Sequence, residues 1–221
     1  MTVLFEGQPV LPNTDQGPIG DCWVVSVINA LAFVPSGPAF IANDIVQTAS
    51  GFTVTLYKAA SGGLPGIGTQ NYQPVQISVP NSFPYYAANG GAGGYGGVLE
   101  AAVASLNGGY SVIGGGGDPA VAMEELTGHP ATAQIPSTMA FAVLLADFKA
   151  GDLITLDSFP VAGLPYGLVK NHAYTLIGIT GTTATTATLQ LLNPWGYDNP
   201  SPIPFVGMQK NGIEEIDIGR V

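Results

Sequence analysis

Three residues of this chain have the types and spacing for nucleophilic acyl transfer: Cys22, His172 and Asn193. Cys22 is the only cysteine, and behind Asp21 it opens the apolar run Cys-Trp-Val-Val-Ser-Val-Ile-Asn-Ala-Leu-Ala-Phe. With Asp21 as N-cap, the thiol falls in the first turn of a predicted helix, where unpaired N–H groups and the dipole favour a thiolate. Asp21 opposes this slightly, so a cationic partner is needed. The same position also suits a small buried hydrophobe. His172 heads the alternating run His-Ala-Tyr-Thr-Leu-Ile-Gly-Ile. Its imidazole could take the thiol proton, or it could be an edge-of-core histidine with a satisfied ring. Asn193 ends Leu-Gln-Leu-Leu-Asn, where Pro194 forces a turn, and its amide could fix the imidazole tautomer. The other histidine, His129, lies in Thr-Gly-His-Pro-Ala and reads as an exposed loop residue.

The elements that must position these groups follow from periodicity. The helix from Asp21 is apolar on nearly all sides, with Ser26 and Asn29 three apart as its polar interruptions. Residues 52–58 and 74–79 alternate as half-buried strands, joined by a Gly-rich hairpin loop at 61–68. Residues 98–106 form a helix ended by Asn107-Gly108-Gly109, followed by short helices near 119–126 and 138–149. Strands are expected at 152–157, 172–180, 185–192 and 213–218. Adjacent antiparallel strands 172–180 and 185–192 would bring His172 beside Asn193. Helices first and strands second make an α+β fold. Its units are 1–132, carrying the cysteine, and 133–221, carrying His172 and Asn193, with the cleft between them.

Composition narrows the function classes. Only 9% of the 221 residues are charged, against roughly 25% in ordinary domains. Five Lys and Arg against fifteen acids leave a net charge of −10, which excludes a basic nucleic-acid surface. A hydrophobic fraction of 46% supports a packed core despite 31 Gly and 18 Pro. One thiol rules out internal disulfides and a multi-thiolate zinc site. No apolar run approaches the ~20 residues of a membrane span, and the N-terminus lacks a signal-type segment. The expected setting is the cytosol or an exported bacterial domain, as a monomer or part of a larger chain. The Gly runs at 90–97 and 114–117 have no phosphate-loop pattern and read as loops or sites of close backbone approach.

The order Cys, His, Asn, with successive members 150 and 21 positions apart, is that of papain-like enzymes. The local papain signature is absent, because Gly-Asp precedes Cys22. The segment Gln16-Gly-Pro-Ile-Gly-Asp-Cys22-Trp23 instead resembles the calpain cysteine-protease motif Q-G-x-x-G-D-C-W. Gly167-Leu-Val-Lys-Asn-His172-Ala-Tyr-Thr is similar to the family's G-L-V-x-G-H-A-Y-S, and Asn193-Pro-Trp-Gly196 to its N-P-W-G. Leu99-Glu-Ala-Ala-Val-Ala-Ser-Leu-Asn-Gly-Gly-Tyr110 and Glu125-Leu-Thr-Gly128 follow in family order. The resemblance covers the protease core and implies a papain-like α+β fold hydrolysing peptide bonds in protein or peptide substrates through a thioester. It makes Cys22 the nucleophile, His172 the base and acid, and Asn193 the orienter. Gln16 and the Cys22 N–H would form the oxyanion hole. Trp23 would pack behind the nucleophile and Trp195 would shield the Asn–His bond. Gly116 and Gly117 would admit substrate backbone.

Three departures from the family pattern bear on function. Asn171 stands where the family has Gly before its histidine, which should narrow or re-aim the cleft. The acidic calcium ligands expected at 13 and 93 are Asn13 and Gly93. Hard cations need carboxylates, so no cofactor or metal is expected and the subdomains should assemble without calcium. The chain is also short for the family core. Two other readings remain open: acyl transfer to another acceptor, as in a transglutaminase or amidase, and a non-catalytic binding module on a degenerate core. The intact Gln16, Cys22, His172 and Asn193 set argues against the latter.

Overall fold

The structure, a computed structural model, describes residues 14–60, 71–82 and 94–221. The loop at 61–68, half of the Gly run at 90–97, and both Asn13 and Gly93 lie outside the described residues. Helix α1 (Cys22–Phe33) is buried from Trp23 to Ala32, as its all-round apolar sequence predicts. Asp21 precedes it, but its side chain makes no capping bond, so the helix starts without the cap the sequence suggested. Helix α2 (Gly37–Asp44) leads into a three-stranded antiparallel sheet of β1 (Ile45–Gln47), β2 (Gly51–Ala59) and β3 (Tyr72–Pro80).

Helices α3 (Tyr95–Leu106), α4 (Tyr110–Ile113) and α5 (Pro119–Thr127) complete the first half. Asp118 caps α5 by accepting from the Ala120 N–H at 2.8 Å, and Gly128 closes the helix in the left-handed conformation. The second half adds β4 (Thr132–Gln134), α6 (Phe141–Ala150), β5 (Leu153–Ser158), β6 (Ala173–Thr180), β7 (Thr188–Leu192), β8 (Ile203–Pro204) and β9 (Ile213–Gly219). These strands form one antiparallel sheet in the order β4-β9-β5-β6-β7-β8. The arrangement is the mixed α+β fold expected. Strand β7 starts three residues later than predicted, because Thr183 to Thr186 turn on themselves with the Thr186 and Ala187 N–H groups bonding back to Thr183 O.

Two hydrophobic clusters lie side by side. One gathers residues from Trp23 to Ala131 together with Leu153, and the other runs from Met139 to Ile218. Strand β6 packs on α1, tied there by the Thr175 hydroxyl donating to Ser26 O at 2.7 Å. Among the described residues no single helix is long and apolar enough to cross a membrane.

Several carboxyls are held above their usual range by burial. Asp44 is pushed up to about 6. Glu125 is pushed up to about 7 by burial, although Asn107 donates to it at 2.8 Å. Groups that bind protons more tightly folded than unfolded stabilise the fold below their folded pKa and lose that contribution as pH rises through it. The thermal midpoint is therefore expected to fall between about pH 4 and pH 7. Scanning calorimetry across that range checks this, and a flat or rising midpoint would contradict it.

Candidate active site

A cleft of about 820 Å³ opens between the two halves. Its walls include Gln16, Cys22, Trp23, Gly116, Gly117, Asn171, His172 and Trp195, so every residue to which the family resemblance gives a role lines it except Asn193, which lies directly behind His172. Cys22 is the first residue of α1 and half-buried. Its N–H is one of the donors a helix N-terminus leaves without an intrahelical partner. His172 sits just ahead of β6, one residue short of the strand expected to begin with it.

The imidazole is held on all sides. His172 Nε2 meets Asn193 Oδ1 at 2.9 Å. Asn193 Nδ2 donates to Asp198 O at 3.1 Å, and Asn193 Oδ1 also receives the Trp195 N–H at 3.0 Å. Because that oxygen can only accept, Nε2 must carry a hydrogen. In the neutral ring Nδ1 is then the free base. Trp195 lies with its ring centroid 4.8 Å from the imidazole and Tyr174 meets it edge-on at 4.9 Å, leaving His172 only 5% exposed. The Tyr174 hydroxyl is engaged by the Val169 N–H at 2.7 Å.

The His172 backbone is clamped by a residue that sequence reasoning missed. Ser158, at the end of β5, receives the His172 N–H on its hydroxyl at 3.1 Å and gives its own N–H to His172 O at 3.0 Å. Nothing in the local pattern around Ser158 marks it. Only the β5–β6 pairing brings it opposite the histidine.

Burial sets the charge state of the pair. The Cys22 thiol is raised by desolvation, lowered by the Ala173 and Trp23 N–H groups, and raised again by Asp157 and Asp21. Desolvation lowers His172, partly offset by Asn193. Both shifts favour neutral thiol and neutral imidazole over the thiolate expected from helix position. Among the described residues no hydrogen bond joins Cys22 to the His172 ring.

The opposite wall is built for close approach. Trp23 donates to Ile113 O at 2.9 Å and lies flat under Gly117, where a Cβ would come within 2.5 Å of the indole. Gly116 has φ +91° and open space around its Cα. Gln16 gives its N–H to Pro194 O and its side-chain Nε2 to Ile19 O, both at 2.6 Å. The same side chain lies within hydrogen-bonding reach of the Asp21 carboxyl, which holds its amide at the cleft edge. Asn171 has φ +51°, a conformation natural to Gly and tolerated by Asn. The backbone thus keeps the course a glycine would give it, with an added side chain at the cleft edge. His129 is exposed and remote from this cleft. The calcium ligands implied at 13 and 93 do not fit that ion: Gly93 offers no side-chain donor and Asn13 no charge.

A relative, Calpain-9 of Homo sapiens, is 34% identical over 112 residues, covering 45% of this chain and 16% of the relative. This chain therefore matches about a sixth of that protein's length. A family model described as calpain family cysteine protease matches residues 9–200, and with nearly the whole chain covered, the protein belongs to the calpain family.

Proposed function

We propose that the protein is a cysteine endopeptidase that cleaves peptide bonds through a thioester on Cys22. The observation that carries the reading is the Asn193–His172 bond, whose direction leaves Nδ1 as a base on a cleft shared with the only thiol. As Sγ attacks the scissile carbonyl carbon, the thiol proton passes to His172 Nδ1. The C–N bond then breaks and the same proton leaves on the amine. Water attacks the thioester with His172 again as base, and the thiol is regenerated as the acid product departs. The oxyanion is met by the Cys22 N–H and the Gln16 side-chain amide, both neutral donors that leave the imidazole unperturbed. A proton transfer concerted with attack suits two buried, neutral partners better than a standing ion pair.

Cys22→Ala should remove cleavage of an unfolded protein substrate by roughly 10³-fold or more, along with labelling by an epoxide-type thiol reagent. Retained cleavage would show that the nucleophile lies elsewhere. If the acyl group passes instead to an added amine without net hydrolysis, the acceptor reading is wrong and the enzyme is a transferase.

Because the base must be neutral, kcat/KM should rise with pH through the His172 pKa, which burial sets below its ordinary value of 6.5, and then stay level through neutrality. Asn193→Ala removes the bond that raises that pKa, so it should move the acid limb to lower pH while reducing kcat by roughly 10². A limb displaced upward would contradict this account. With no carboxylates at 13 and 93, activity at 25 °C is proposed not to require calcium. A chelator should change kcat/KM by less than about twofold, and a collapse would revive a calcium switch.

A further inference from the structure

We propose that Asp118, Glu215 and Asp217 form a binding site for a hard divalent cation of the calcium class, pinning the start of α5 to the second sheet. One carboxylate oxygen from each of the three lies within 4.8 Å of those of the other two. A cation about 2.4 Å from each oxygen spans that separation. These residues are remote in sequence from positions 13 and 93, so the site is distinct from the pair the family pattern implies.

The sheet register produces the cluster. Strands β5 and β9 pair Thr155 with Asp217 and Asp157 with Glu215, which sets four side chains on one face. Two carboxylates directly opposite one another on neighbouring strands repel. Over them comes Asp118, whose Oδ1 is already used to cap α5. Asp217 is short of donors: it is fully buried, its Oδ2 receives only the Thr155 hydroxyl at 3.2 Å, and its Oδ1 has no hydrogen-bond partner. Asp157 Oδ1 is likewise buried without a donor. Among the described residues, no Lys, Arg or His forms an ion pair with any of these groups. Desolvation and the three neighbouring carboxylates hold Asp217 well above its ordinary pKa, so the site relaxes by taking up either a proton or a cation. Asp118 is exposed and Glu215 half-buried, which leaves an entry path to solvent and room for bound water. Three carboxylates with a hydroxyl nearby are an oxygen-only donor set suited to calcium rather than to a thiophilic metal.

Asp118 follows Gly117 of the cleft wall, while Glu215 and Asp217 belong to the sheet that carries His172 through β5 and β6. The ion would therefore staple the two walls together without touching the reacting atoms. Its signature is thermal, and the Cys22→Ala protein reads it as well as the active one.

The test uses the whole chain, stripped with chelator, at neutral pH. Calorimetric titration with calcium chloride should give saturable binding. About 5 mM calcium, at or above the Kd of weak calcium modules, should raise the thermal midpoint by about 2 °C or more over sodium chloride of equal ionic strength. Asp217→Asn should abolish the rise, and the half-exposed Glu215→Gln should at least halve it should the first variant fail to fold. No heat and no rise, a rise matched by sodium, or a rise intact in the variants would each overturn the site. So would a rise produced by an arginine-containing peptide and not by calcium, which would make the cluster a pocket for a basic substrate side chain.

Discussion

The hydrogen bond from Thr175 to the Ser26 carbonyl, 2.7 Å long and buried, fixes everything the cleft can do. The thiol and the imidazole belong to different hydrophobic clusters, so their separation is only as well defined as the seam between α1 and β6. Ser26 lies one turn beyond Cys22 on α1, and Thr175 lies three residues beyond His172. Thr175 is fully buried, and leaving its hydroxyl without an acceptor would cost about 1–3 kcal/mol. A slip of β6 by one residue would turn that hydroxyl to the other face of the sheet and carry His172 away from the thiol. Ser158 reinforces the same register from the far side by clamping the His172 backbone.

Magnitudes decide the resting charge state. A helix N-terminus contributes about 0.3–1 kcal/mol toward an adjacent anion, whereas desolvation of a buried group can move its pKa by several units. At Cys22 burial prevails, and the nearby Asp157 and Asp21 act in the same direction. The Asn193 amide then matters less for stabilising charge than for choosing a tautomer. It is itself fixed by Asp198 O and by Asn199, whose side-chain oxygen receives the Asn193 N–H at 2.8 Å. The turn that Pro194 imposes creates these contacts, and Gly196 completes it at φ +78°, where any Cβ would strike the Asp15 carboxylate.

Much of this was legible in the sequence because the signals are local. The apolar run of α1 and the alternation of β2, β3, β6 and β9 led to elements that the structure forms, and the spaced motifs around Cys22 and His172 fall on residues that line its cleft. What escaped depends on pairing between distant strands. Ser158 and Thr175 look like ordinary strand residues until β5 and β6 are aligned beside α1. Asp118, Asp157, Glu215 and Asp217 are scattered over a hundred residues, and only the β5–β9 register gathers three of them on one face. Asp21 misled for a different reason. It stands where an N-cap should, but its carboxyl faces the buried Glu100 instead of the helix N–H groups, and burial raises its pKa.

That last contact bears on how a chain so poor in cations tolerates buried acids. Among the described residues the ion pair formed is Arg220 with Asp152, 3.9 Å apart at the surface, too exposed to offset any interior charge. Asp21, Glu100 and Asp217 are all fully buried, so each must be neutralised by protons, dipoles or an ion from outside. Asp21 and Glu100 are enclosed together, with the Tyr110 hydroxyl 3.4 Å from Glu100 Oε2. A proton shared between two such carboxyls needs no access to solvent. Asp217 differs because its neighbours Glu215 and Asp118 lead stepwise to the surface. A hydrated cation can shed its water along that gradient of exposure, whereas Asp21 and its partner Glu100 are both fully buried. The same scarcity of Lys and Arg thus has two different physical remedies, chosen by whether the buried carboxylate has a polar route out.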